Sequence, residues 1–140
     1  MAIIQTQCTV FKQNLLSALE NFAVGTPYTY KIALYTANAS LDATTVAYSA
    51  TNEVVGTGYT AGGQALTIIP PASSGSTAWV SFSTVTWTSA SFVCRGALIY
   101  NATTGAAVAV LNFGSDKVAS GNFTITFPTA DASNAVIRIS

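Results

Sequence analysis

The 140-residue sequence contains no histidine, so it lacks the side chain most used as a general base and as a transition-metal ligand. Chemistry would have to come from five carboxylates, five cations or two thiols. The carboxylates are Glu20, Asp42, Glu53, Asp116 and Asp131. Two of them could in principle hydrolyse a glycosidic bond. The sequence instead sets Glu20 on a helix face and the other four in caps and turns, where carboxylates usually accept bonds from backbone amides. A serine hydrolase would need a desolvated lysine in place of histidine. Lys12 falls on the helix, Lys31 on the polar face of a strand and Lys117 beside Asp116 in a turn. No two carboxylates lie within three residues of each other, so there is no dense calcium loop.

Cys8 and Cys94 are far apart and form neither a CxxC motif nor a disulfide framework. They read as free thiols that act as small apolar residues. The stretch Gly56-Thr57-Gly58-Tyr59-Thr60-Ala61-Gly62-Gly63 superficially resembles a phosphate cradle. It is followed by strand-like Gln64-Ala65-Leu66-Thr67 with no lysine and no helix, so it reads as a turn. The triplets at Asn38, Asn101 and Asn122 match the glycosylation pattern but read as coincidence, since Met1–Gln7 shows no secretory leader. The expectation is a protein without enzymatic activity, cofactor or bound metal.

Charge is scarce throughout. Charged residues make up 7% of the chain and balance to a formal net charge of zero, against a usual ~25% charged. Lys12, Lys31, Arg95, Lys117 and Arg138 are too few and too scattered to neutralise a phosphate track, so no nucleic-acid partner is expected. Half the residues are hydrophobic and 11% aromatic, which argues against disorder. No apolar run approaches the ~18 residues a membrane helix needs, so no membrane partner is expected. Thr, Ser and Ala dominate what remains. Such a surface suits a protein packed against copies of itself or against a partner.

The elements that would hold these residues follow from periodicity. Residues 1–10 read as an extended apolar arm carrying Ile3, Ile4 and Val10. An amphipathic helix is expected over Val10–Ala23, since Phe11, Leu15, Leu19 and Phe22 recur on one stripe. Thr9 would be its N-cap, and Gly25 followed by Pro27 would end it. A short helical turn capped at Ser40 would run to about Ala47. From Tyr28 the period changes to two. Strands are expected at Tyr28–Tyr35, Leu66–Ile69, Ala78–Phe82, Val85–Trp87, Phe92–Tyr100, Val108–Phe113, Phe123–Phe127 and Val136–Ile139, with turns at Pro70–Ser76 and Asn101–Gly105. The fold class expected is all-β: one antiparallel β-sandwich or jelly-roll-like domain over residues 11–140, carrying the single N-terminal helix.

Aromatic side chains supply the remaining candidates. Trp79 and Tyr59, with Trp87, Tyr28 and Tyr100, could stack on sugar rings, although packing is the favoured reading. Ile3, Ile4, Val10, Phe11, Leu15, Trp79 and Tyr59 are the candidate interface residues, with the arm the segment best placed to reach a neighbour.

Several segments carry a resemblance when taken together and in order. They are Lys31-Ile32-Ala33-Leu34-Tyr35, Thr51-Asn52-Glu53-Val54 with the glycine stretch after it, Arg95–Asn101, Ala107–Leu111 and Phe127–Ile139. From about Lys31 onward the chain resembles a group of small structural proteins of tailed bacteriophages. The resemblance implies a non-enzymatic virion component and brings no catalytic residues. Within that class the favoured role is a capsid decoration (cement) protein that bridges neighbouring major-capsid subunits. Its partners would be itself, as a homotrimer, and the major capsid protein. The alternative is a tail, adaptor or fibre module, with a host glycan as partner.

Overall fold

Two-residue alternation over most of the chain produces two antiparallel sheets. The computed structural model describes residues 2–140, and Met1, the first residue of the expected arm, lies outside them. The elements are β1 (Thr6–Gln7), α1 (Thr9–Leu16), β2 (Tyr30–Tyr35), β3 (Gln64–Ala65), β4 (Ile68–Ser74), β5 (Thr77–Phe82), β6 (Val85–Asn101), β7 (Ala107–Ile125) and β8 (Ile137–Ile139). One sheet has the order β1-β7-β6-β2-β3 and the other β4-β5-β8. They form a sandwich-like, all-β arrangement with one short helix, as the alternation predicts.

The hinge of the core is a run of rings that joins the two sheets. Phe11 of α1 meets Phe22 edge-on at 6.0 Å, and Phe22 stacks on Tyr30 of β2 at 4.4 Å. Phe22 also meets Phe82 of β5 edge-on at 6.2 Å. Rings bury large areas and prefer these tilted or offset geometries. Ile32, Leu34, Leu98, Ile99, Val108 and Val110 fill the rest from β2, β6 and β7, and all are fully buried.

Four expected strands are two. Val85–Trp87 and Phe92–Tyr100 belong to the single 17-residue β6, and Val108–Phe113 and Phe123–Phe127 belong largely to the 19-residue β7. The breaks in alternation are bulges, not turns. Register shifts between Trp87 and Ala90, where Ser89 has φ 49°, and again between Cys94 and Gly96. An extra residue at a bulge flips the inward parity without ending the strand. Pro70 and Pro71, expected in a turn, lie within β4, an edge strand that shifts register between Ile69 and Ala72. An edge position tolerates a missing N–H.

The helix is shorter than its stripe. It ends at Leu16 because the backbone closes a Schellman turn: the Leu19 amide donates to the Asn14 carbonyl at 2.8 Å and the Ala18 amide to Leu15 at 3.3 Å. Ala18 takes the left-handed conformation this requires, at φ 59°. Leu19 and Phe22 therefore lie beyond the helix, yet Phe22 still reaches the core by its own path. The N-cap is Cys8, not Thr9, and it makes no side-chain capping bond. Residues 41–47 are a turn instead of a helix, with the Asp42 Oδ1 accepting the Thr44 amide at 2.8 Å.

The glycine stretch is a turn packed tightly on the sheet. At Gly63, φ is +78° and a Cβ would fall 1.8 Å from the Ile32 carbonyl oxygen. Only glycine permits that approach.

Candidate functional site

The carboxylates separate into buried and exposed groups. Asp42 and Asp131 sit in turns as expected; Asp131 Oδ1 accepts the Ser133 and Asn134 amides, both at 2.8 Å. Bonds from the Thr44 hydroxyl and from the Asn134 side chain hold the two carboxyls below their usual range. Asp116 lies on the surface 3.4 Å from Arg95. Glu20 and Glu53 are the correction. Neither sits on a helix face or in an open turn, and both are more than nine-tenths buried.

Glu53 anchors a tyrosine network. Its Oε1 accepts the Tyr48 hydroxyl at 2.6 Å. Its Oε2 accepts the Tyr59 hydroxyl and, at 2.8 Å, the Gly62 amide. Tyr59 Oη in turn accepts the Leu34 amide at 2.9 Å, and Tyr100 donates to the Gly62 carbonyl at 2.6 Å. Burial, and then the hydrogen bond to Glu53, push the Tyr48 and Tyr59 hydroxyls far above their ordinary range. They remain protonated donors. Three donors converge on Glu53, so the group acts as a staple between the 48–62 segment and, through Tyr59, β2.

Glu20 does the same for the segment after α1. Its Oε1 accepts the Tyr30 hydroxyl at 2.9 Å and the Asn101 amide nitrogen at 3.0 Å. Its Oε2 is buried without a protein partner. Asn101 is fully buried, so its glycosylation triplet is inaccessible. Cys8 and Cys94 are free and buried, with burial pushing the thiols up to about 11 and about 12 respectively. A thiol so placed is inert. Among the described residues no group of three His, Cys, Asp or Glu side chains could hold a metal.

The seven interface candidates scatter. Ile3 is buried: it bridges Leu41 in parallel and fills the space over Gly96, where a Cβ would meet its Cγ2 at 2.9 Å. The described part of the arm thus lies against its own sheet, with Thr6 of β1 opposite Val110. Ile4, the next residue, faces outward at 54% exposure. Phe11 is a core ring, Val10 is half-buried, and Tyr59 is committed to Glu53. Tyr59 also joins Trp87, Phe92 and, through them, Phe123 in a second ring cluster.

Phe11, Leu15 and Trp79 do come together. They line a shallow groove of about 130 Å³ with Phe22, Val80 and Ile139, where α1 and the segment after it meet the three-stranded sheet. The same segments carry exposed Leu16, Leu19, Val24 and Ile139. The groove offers no charge and almost no hydrogen-bonding group, so it can hold an apolar side chain and little else. It lacks the polar partners a sugar would need beside Trp79. Sequence reading found three of its residues from the helical stripe and the tryptophan. The strand expected at Val136–Ile139 is present as β8, but its Ile137 and Ile139, which complete the wall, were not among the interface candidates.

Comparison with protein-family models, curated proteins and solved structures found no match.

Proposed function

We propose that the chain is a non-enzymatic structural protein of a tailed-phage virion, a capsid decoration protein that holds neighbouring major-capsid subunits together. The carrying observation is the apolar groove of Phe11, Leu15 and Trp79, on segments that also carry exposed Leu16, Leu19 and Val24, in a protein with one ion pair among the described residues. Its occupant would be one apolar side chain of a capsid subunit, seated by shape and burial. The two buried carboxylates are both engaged in structural networks, which supports a binding role over a catalytic one. The ordered segments from Lys31 to Ile139 that resemble phage structural proteins point the same way. Cementing needs many modest contacts repeated around a shell, and each copy need contribute only a little.

A density map of intact particles tests the reading. Expected is a shell-wide lattice of copies with the groove against the capsid surface. A few copies at the tail would favour the tail, adaptor or fibre alternative, and no copies on the particle would overturn the virion reading altogether.

A further inference from the structure

β7 leaves one side of the five-stranded sheet half open. β1 covers that side at Ala109 and Val110, and the Gln5 side chain extends the cover to the Asn112 amide at 3.1 Å. From Lys117 to Ile125, β7 pairs with β6 alone. These nine residues therefore present backbone donors and acceptors along an unpaired edge roughly 30 Å long. The stretch holds no proline, and Lys117 at one end is its single charge. Folded proteins usually blunt such an edge with charge, proline or a covering element.

The chain's other edges do not match it. β1 and β3 have two residues each and β8 has three. β4 has seven, but Pro70 and Pro71 remove two donors from it. β6 has no strand beside Val85–Arg95 on the side away from β7, but the Thr57 bridge to Ser91 and the Gln64 bond to the Thr86 carbonyl cover that side, so among the described strands β7 of another copy offers the matching open edge. We propose that two copies join antiparallel along Lys117–Ile125, about a two-fold axis at Gly121.

Side chains define this register. Inward and outward residues alternate, so a pairing must match parity to keep the two inner faces together. Centring on Gly121 does so and pairs all nine residues. Ala119 then lies opposite the partner's Phe123, a small residue against a ring. Val118 opposes Thr124, both β-branched and outward, and Ser120 opposes Asn122. Lys117 meets Ile125, so no like charges face each other. Gly121 at the axis has φ 108°, which a residue with a Cβ rarely adopts, and the register with β6 shifts beside it, so the pairing bends at its centre, where the space over Gly121 is open. A contact this narrow is at the small end of specific interfaces, so association depends on concentration.

The inference does not depend on the virion reading, because it concerns the isolated chain. Sedimentation velocity over a concentration series tests it with the full-length protein and two double variants. The wild type is expected to approach twice the 14.4 kDa of one chain. Val118→Lys with Thr124→Lys sets like charges opposite each other at both ends of the pairing. It should raise the half-association concentration by about tenfold or more. Val118→Lys with Thr124→Glu sets opposite charges there instead and should restore most of the loss. Both positions are exposed, and unchanged melting of each variant as a monomer verifies folding. A single-chain mass at every concentration, a three-chain mass, indifference to the paired lysines, or no recovery with the Lys and Glu pair would each overturn the proposal.

Discussion

Glu53 shows how few groups determine the middle of the chain. Itself buried, it receives two half-buried tyrosine hydroxyls and the Gly62 amide. Glu53→Ala would leave those donors unpaired, at a cost of roughly 3–5 kcal/mol. Chemical denaturation checks this; a loss under 1 kcal/mol would mean that water replaces the carboxylate without difficulty. The buried thiols and tyrosines set the alkaline limit. Burial raises Cys8, Cys94, Tyr30, Tyr35, Tyr48 and Tyr59 above their unfolded values of 9.0 for cysteine and 10.0 for tyrosine. The unfolded chain therefore loses protons first as pH rises. The contribution of these groups is fully present below about pH 9 and is lost as pH climbs through the thiol values of about 11 and 12. Melting temperature should hold level from neutrality to about pH 9 and then fall, with tyrosinate absorbance appearing together with unfolding. Tyrosinate forming at Tyr30, Tyr35, Tyr48 or Tyr59 on the intact fold would contradict this burial. None of these partnerships was legible in the sequence. Glu53 finds Tyr48 and Tyr59 across a folded loop, and Glu20 finds Asn101 at a separation of 81 residues.

At the scale of elements the periodicities were legible and the ends were not. Alternation located nearly every strand, because a half-buried sheet enforces it. It could not show that β6 and β7 run on through their bulges, since a bulge and a turn interrupt the pattern in the same way. The Phe11, Leu15, Leu19, Phe22 spacing continued past the helix for a related reason: two successive segments put side chains on one core. What stops α1 is a backbone hydrogen-bond pattern with alanine where glycine is usual. Left-handed geometry costs a residue with a Cβ roughly 1–2 kcal/mol, part of which glycine returns through the entropy of the unfolded chain. Ala18→Gly should therefore stabilise the protein by about 0.5–1 kcal/mol, visible as a higher denaturant midpoint at constant slope. A lower midpoint would mean that Ala18 contributes contacts its exposed position does not reveal.

For the whole molecule the scarcity of charge has a direct experimental signature. The one ion pair among the described residues, Arg95 with Asp116, is exposed and worth no more than about 1 kcal/mol. Binding to particles through the groove should therefore change little between low and high salt, because screening acts on charges that are few here. Add-back of purified protein to particles lacking it, followed across ionic strength, measures this; release at moderate salt would locate the contact on charged residues instead. Trp79→Ala should weaken the same binding, as truncated aromatic anchors commonly do, by about 2 kcal/mol. The fused strands matter here too. Since β6 and β7 continue through their irregularities, covalent main chain runs unbroken for most of the length of the molecule, roughly 50–60 Å along each strand. A pull applied lengthwise is then carried by two bonded backbones and shared over their whole hydrogen-bonded seam, while the three register breaks can straighten slightly before anything tears. The molecule is built as a tie rod, stiff in tension along one axis and compliant across it.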